Sequence, residues 1–95
     1  MIDISFLVTA HNSELYVEKC IDSILNQDKS SLTSELIVID DGSFDNTRNL
    51  LLNYGNKVRI YLQDNKGVEA AANFGIYKAK GRFVCRVDSD DALKR

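Results

Sequence analysis

Four short apolar runs alternate with three stretches of helical period along this chain. The apolar runs cover residues 4–8, 35–39, 58–62 and 82–87, and the helical stretches lie between them. Runs of this length, rich in leucine and β-branched residues and without helical spacing, are typical of strands that are covered on both faces. Residues 58–62 instead alternate, with Val58, Ile60 and Leu62 apolar, which is typical of a strand near a sheet edge. The order βαβαβαβ predicts an α/β fold with a parallel sheet, right-handed crossovers and helices on both faces.

The first helix is the most clearly marked. Apolar residues at i, i+3, i+4 and i+7 predict an amphipathic helix from residue 14 to about residue 26. These positions are Val17, Cys20, Ile21 and Ile24. Asn12 or Ser13 is expected to cap this helix, because either side-chain oxygen can accept a backbone N–H. Ser43 or Asp45 is expected to cap the second helix in the same way.

The second and third helices are defined by glycine and small residues. Gly55 is well placed to end the second helix in the left-handed conformation. The third helix is predicted over residues 68–80. Its small residues Ala71, Ala72 and Gly75 would let it lie close to the sheet.

A spatial strand order of 3-2-1-4 is predicted, with the first and last strands side by side. Ligands of open parallel sheets bind outside the carboxyl ends of the strands, where the strand order reverses. Under this order the loops that carry His11, Asp41 and Asp90 meet over one crevice.

Composition limits the chain to one modest core. It has 95 residues, a net charge of −2, 44% hydrophobic and 27% charged residues, as in soluble globular proteins. The acidic balance argues against a broad nucleic-acid surface.

There is no apolar run near the roughly 20 residues of a membrane span and no secretory signal, so a cytoplasmic setting is expected. Cys20 and Cys85 have no zinc or redox spacing and are expected to be buried and reduced.

Carboxylates end two of the predicted strands. Neither G-x-G-x-x-G nor G-x-x-x-x-G-K-S/T occurs, so the usual dinucleotide and phosphate loops are absent from the sequence. Another way to hold a diphosphate uses a divalent metal tethered by carboxylates. Asp88 and Asp90, at i and i+2, project to one side and can face one cation. A solvated turn is the alternative, but the like charge of Asp91 is unfavourable without a cation nearby.

The end of the second strand and the single histidine are candidates for nucleobase recognition. The Asp41 carboxylate can accept an N–H from a base, and Gly42 would allow close approach of the backbone. A turn with a helix cap is the alternative. His11 can lay a flat ring beside a base, or it can be structural.

Four sequence motifs occur along the chain in a fixed order and at the distances that a known family shows. They are Phe6-Leu7-Val8-Thr9-Ala10-His11-Asn12, Glu35-Leu36-Ile37-Val38-Ile39-Asp40-Asp41-Gly42-Ser43, Asn65-Lys66-Gly67 leading to Ala71-Ala72-Asn73-Phe74-Gly75, and Gly81-Arg82-Phe83-Val84-Cys85-Arg86-Val87-Asp88-Ser89-Asp90-Asp91. With these motifs the chain resembles the N-terminal half of a family 2 glycosyltransferase with the GT-A fold, which is Rossmann-like. The resemblance covers nearly the whole chain.

The resemblance implies a nucleotide-sugar site. Thr9 and His11 would contact the base or ribose, and Asp41 would hydrogen-bond the base. Asp88 and Asp90 would form the Asp-x-Asp motif that binds the donor through Mg²⁺ or Mn²⁺, with Asp90 as a direct ligand. A UDP-sugar is the expected donor, the acceptor is unknown, and the setting implied is polysaccharide biosynthesis. Thr9 replaces a frequent proline, His11 a tyrosine and Ala72 an arginine, and the missing arginine removes one phosphate or pocket contact.

The resemblance also implies that the catalytic base and the acceptor site lie outside these residues. Family members take their catalytic base and most of their acceptor site from a region after the metal motif, so residues 1–95 are expected to hold only the donor half and to be inactive in isolation. The full-length enzyme could be peripheral to a membrane. The fourth strand would be an exposed edge that invites self-association.

Two other functions are compatible with parts of this sequence. One is a freestanding, non-catalytic nucleotide-binding module. The other is a receiver-like regulatory domain, which is disfavoured because the third strand ends in Leu62-Gln63 rather than in an aspartate.

Overall fold

A computed structural model describes residues 1–27 and 32–88 of the chain. The elements in order are β1 (Ile2–Ala10), α1 (Val17–Leu25), β2 (Ser34–Asp41), α2 (Thr47–Leu52), a turn of 3-10 helix (Gly55–Lys57), β3 (Arg59–Gln63), α3 (Val68–Lys78) and β4 (Gly81–Asp88). Within these ranges no helix has the length and apolar character needed to span a membrane.

The four strands form one parallel sheet in the order β3-β2-β1-β4, which confirms the predicted topology. The register aligns the carboxyl ends of the strands. Thr9 lies opposite Asp88, Ala10 opposite Asp40, and Asp41 opposite Gln63. The acidic strand ends therefore meet at one edge of the sheet.

Alternation along the two central strands builds a core on each face of the sheet. Val8 and Val38 point toward α1 and α2, where they contact a larger cluster that includes Ile21. On the opposite face, Leu7 and Ile37 form a smaller cluster with residues of α3. Successive residues of a strand point to opposite faces, so two central strands of continuous apolar sequence supply both layers.

Helix α3 lies very close to the sheet, as its small residues predicted. Ala71, Ala72 and Gly75 are all buried. A Cβ at Gly75 would come within 2.2 Å of Leu7 Cδ1. A side chain there would push the helix away from β1.

The predicted helix ends were partly wrong. Helix α1 begins at Val17 after a turn in which the Ser13 carbonyl accepts the N–H groups of Tyr16 and Val17, and no side chain caps it. Asn12 is instead bonded to the loop that follows β2. Helix α2 is short. Asp45 Oδ1 accepts the N–H of Thr47, but the residue at the N-cap position is Asn46, whose side chain makes no capping bond.

Gly55 has the predicted left-handed conformation, with φ of +60°. It opens the 3-10 turn, however, because α2 has already ended at Leu52. Cys20 is buried as expected, but the prediction that Cys85 is buried was wrong. Cys85 lies on the edge strand β4, whereas α3 contacts β1 and β2, so residues 82–86 remain exposed.

A polar network holds the amino-terminal half of the sheet together. The Glu35 carboxylate on β2 pairs with Arg59 on β3 at 2.5 Å and accepts the Ser5 hydroxyl of β1 at 2.6 Å and the Lys80 N–H at 2.7 Å. Burial would raise the pKa of Glu35, but these donors outweigh it and hold the pKa below its ordinary value. The carboxylate therefore stays ionised and connects three strands with the start of β4.

Candidate functional site

A cleft of about 560 Å³ opens at the carboxyl ends of β1, β2 and β4. Thr9, His11, Asp41 and Asp88 all line it, so the structure brings together four of the residues singled out in the sequence. Asp90 lies outside the described residues. The cleft is where an open parallel sheet presents its ligand site.

Asp41 is nearly buried, with 4% of its surface exposed. Its Oδ1 accepts hydrogen bonds from Gln63 Nε2 and the Lys66 N–H, both at 2.8 Å, and its Oδ2 accepts the Gly67 N–H at 3.0 Å. Burial would raise the pKa of Asp41, but the three hydrogen bonds outweigh it and hold the pKa below its ordinary value. Since a carboxylate has about four acceptor positions, one remains for a ligand.

Gly42 makes the loops after β2 and β3 meet. Its φ is +70°, and a Cβ there would lie 2.6 Å from the backbone nitrogen of Asn65. The residue type was expected to allow close approach of a ligand. In the structure the close approach is to Asn65, which itself lines the cleft.

His11 is held in one orientation by the backbone of Asp41. Its Nδ1 lies 2.7 Å from the Asp41 carbonyl oxygen, which can only accept, so Nδ1 carries the proton. In the neutral ring Nε2 is then an acceptor. Phe44 contacts the ring edge-on with centroids 6.2 Å apart, and the imidazole remains exposed. The ring is thus oriented while a ligand can still reach it.

The loops after β1 and β2 are bonded to each other residue by residue. The Asn12 N–H donates to Ser43 Oγ at 2.8 Å, and Asn12 Oδ1 accepts the Phe44 N–H at 2.9 Å. The Ser13 N–H donates to Thr47 Oγ1 at 2.7 Å. Asn12 accommodates this with φ of +49°. These bonds fix the rim of the cleft.

Asp88 supplies a carboxylate to the cleft. It is exposed, and its side chain makes no hydrogen bond or ion pair with any residue in the described ranges. Hard divalent cations prefer carboxylate oxygens, so Asp88 fits as one metal ligand. Within residues 1–27 and 32–88 no group of three His, Cys, Asp or Glu residues could hold a metal.

Sequence reasoning missed Gln63 and Asn65. Gln63 is the last residue of β3 and lies opposite Asp41 in the sheet register. A polar residue at the end of a predicted strand next to an acidic strand end was the signal that could have identified it. Asn65 gave no such signal, since its place in the cleft depends on its contact with Gly42.

The chain matches a family model described as Glycosyl transferase family 2 over residues 5–95. It is similar to the glycosyltransferase GlyG of Streptococcus pneumoniae, with 40% identity over 95 residues that cover 96% of this chain and 31% of GlyG. It is also similar to a chondroitin synthase of Pasteurella multocida, with 38% identity over 94 residues that cover 96% of this chain and 10% of the synthase.

A solved structure shows the same similarity. TarS of S. aureus in complex with UDP-GlcNAc aligns with a TM-score of 0.84 and 31% identity, covering 98% of this chain and 28% of that chain. The chain spans about a third or less of the length of the curated relatives it matches.

Proposed function

The chain belongs to glycosyltransferase family 2 and has the GT-A fold, and on this premise we propose that residues 1–95 bind the nucleotide-diphosphate sugar donor of a metal-dependent transferase. The observation that carries the proposal is the meeting of four predicted residues in one cleft at the carboxyl ends of adjacent parallel strands. Transfer of the sugar to an acceptor hydroxyl is the activity proposed for the protein as a whole.

The nucleoside would occupy the part of the cleft between β1 and β2. The exposed imidazole of His11 offers a flat surface beside the base, while its Nε2 already lies 3.4 Å from the side-chain amide nitrogen of Asn12. Asp41 keeps one acceptor position for a base N–H. Thr9, next to Asp88 in the register, would contact the ribose or base.

The diphosphate would lie toward β4. Asp88, together with Asp90, would hold Mg²⁺ or Mn²⁺. When bound, the cation would offset the charge of the diphosphate leaving group. Without that cation, Asp88 would repel the phosphates, so we expect donor affinity to depend on metal.

A uridine donor is favoured among the nucleotides. TarS, which shares 30% and 31% of its aligned residues with this chain in these complexes, has been crystallised with UDP and with UDP-GlcNAc.

Calorimetric titration of UDP with and without Mn²⁺ tests the proposal. Asp88→Asn should reduce the metal dependence, and Asp41→Asn should weaken binding even without metal. Glu18→Gln on the exposed side of α1 is a matched control that also removes one carboxylate. It should leave both the UDP affinity and its metal dependence unchanged. Equal UDP affinity with and without Mn²⁺ would rule out the metal role. The absence of any UDP binding by folded protein would rule out the donor site.

A further inference from the structure

A second concave surface lies on the other side of the loop between β3 and α3. This groove has a volume of about 450 Å³ and is lined by Arg48, Leu62, Gln63, Asp64, Lys66 and Phe74. It shares no lining residue with the cleft, because alternate residues of the loop face the two sides: Asn65 and Gly67 line the cleft. We propose that this groove is a separate binding site for a saccharide that carries an oxyanion, either a carboxylate or a phosphate.

Arg48 presents an unused pair of donors to the groove. Its Nε lies 3.2 Å from Oδ2 of Asp40, a side chain with no exposed surface. A buried carboxylate bonded to Nε orients the planar guanidinium. The two terminal nitrogens, Nη1 and Nη2, make no bond to any residue in the described part of the chain. That end of a guanidinium matches carboxylate or phosphate with two parallel hydrogen bonds.

Lys66 adds a second cation to the groove. Its backbone N–H is fixed on Asp41, whereas its ammonium makes no hydrogen bond or ion pair within the described residues. Asp64 also lines the groove, but it forms no salt bridge with either cation. The charges of Arg48 and Lys66 are balanced by those of Asp40 and Asp64, so an anion would be held here by the directed donors of Arg48 and Lys66 and not by an excess of positive charge.

The apolar side of the groove suits a sugar ring. Phe74 is 37% exposed and Leu62 47% exposed, so both present apolar surface to the groove. Tyr61 contacts the Phe74 ring edge-on with centroids 5.5 Å apart, which fixes its orientation. An aromatic surface with a few placed polar groups is the composition of small-ligand sites. The choice of a saccharide over other oxyanions rests on the proposed function, while the oxyanion site rests on Arg48 and Lys66.

Nuclear magnetic resonance titration of the protein can follow the two sites separately. The side-chain N–H of Arg48 and the ring of Phe74 report on the groove, and the ring of His11 reports on the cleft. The probes are D-glucuronate, D-glucose 6-phosphate, D-glucose and inorganic phosphate, each added with and without UDP. We expect saturable shifts at Arg48 and Phe74 with one or both anionic sugars, and little change at His11.

Three variants test the assignment. Arg48→Lys keeps a cation beside Asp40 but removes the paired donors, and it should weaken anionic-sugar binding about tenfold. Lys66→Gln keeps the backbone bond to Asp41 and should weaken the binding of anionic sugars severalfold. Lys57→Gln removes a cation from the exposed 3-10 turn before the opposite end of β3, and it should leave affinity unchanged.

Several outcomes would overturn the proposal. Failure of both anionic sugars to saturate the Arg48 and Phe74 signals would do so, as would unchanged affinity in both Arg48→Lys and Lys66→Gln. Inorganic phosphate that binds as tightly as glucose 6-phosphate would refute the saccharide part, and glucose that binds as tightly as glucuronate would refute the oxyanion part. Failure of UDP to shift His11 would count against the donor site and not against the groove.

Discussion

Glu35 and Asp41 lie on the same strand and on the same face of the sheet, yet their surroundings differ in charge. Each is largely buried, each accepts hydrogen bonds from three groups, and in each the bonds lower the pKa despite burial. Glu35 is paired with the guanidinium of Arg59. Among the described residues, the hydrogen bonds to Asp41 come from neutral donors, the amide of Gln63 and the N–H groups of Lys66 and Gly67.

This difference separates a structural carboxylate from one that can act on a ligand. A cation beside Glu35 cancels its charge, so the pair serves mainly to hold strands together. Neutral donors stabilise the anion at Asp41 without cancelling its charge, and Asp41 lines the cleft. The same residue chemistry therefore gives stability at one end of β2 and a candidate binding group at the other.

The largest effect is expected from a methyl group in the loop beside Asp41. Gly42→Ala would place a Cβ 2.6 Å from the Asn65 nitrogen at a φ of +70°. It should lower the free energy of unfolding by about 3 kcal/mol, from strain and overpacking together. Urea denaturation measures this. Gly55→Ala also has a positive φ but nothing within 4 Å, so it should cost only about 1 kcal/mol. Equal losses would show that the contact with Asn65 is unimportant.

Exchanging each carboxylate for its amide should separate stability from binding. Glu35→Gln removes the charge opposite Arg59, and we expect a loss of about 2 kcal/mol in the free energy of unfolding with UDP affinity unchanged. Asp41→Asn should cost about 1 kcal/mol of stability but reduce UDP affinity about tenfold. Denaturation and calorimetry on the same samples give both numbers. A Glu35→Gln variant that loses UDP affinity while Asp41→Asn keeps it would reverse the assignment.

The stability contributed by Glu35 and Asp41 should depend on pH in the same way. The pKa of each is lowered by folding, so each contributes stability above its ordinary pKa of about 4 and loses it as pH falls through the lower folded value. The free energy of unfolding of the unmodified chain should therefore fall more steeply below about pH 4 than that of either amide variant. Denaturation at a series of pH values checks this. Parallel pH curves for all three proteins would contradict the lowered pKa values.

The smallest effect is expected at Gln63. Gln63→Met keeps the size of the side chain but removes one of three donors to Asp41, which should cost about 1 kcal/mol and weaken UDP binding only slightly. Gln63→Glu has the same shape but adds a like charge beside Asp41, so it should be the more damaging change in both measurements. Thermal melts and titration with UDP rank the two. The opposite ranking would mean that Gln63 does not contact Asp41 in solution.

The element order, the 3-2-1-4 sheet and the meeting of Thr9, His11, Asp41 and Asp88 could be predicted from the sequence. Helical and strand periods are local properties, and parallel topology then brings strand ends to one edge. The order of the sequence motifs along the chain further indicated the family. All of these depend on residue type and spacing along the chain.

Partners distant in the chain were decided by tertiary structure. Asp41 is bonded to residues 22 to 26 positions away, and Asn12 is bonded to Ser43 and Phe44 rather than to its own helix. Cys85 is exposed because β4 is an edge, although its apolar run looks like that of β2. Local pattern determines which face a side chain takes within its element. Strand register and loop contacts decide which donor a side chain bonds to and which residues cover it. These contacts exist only once the sheet has formed.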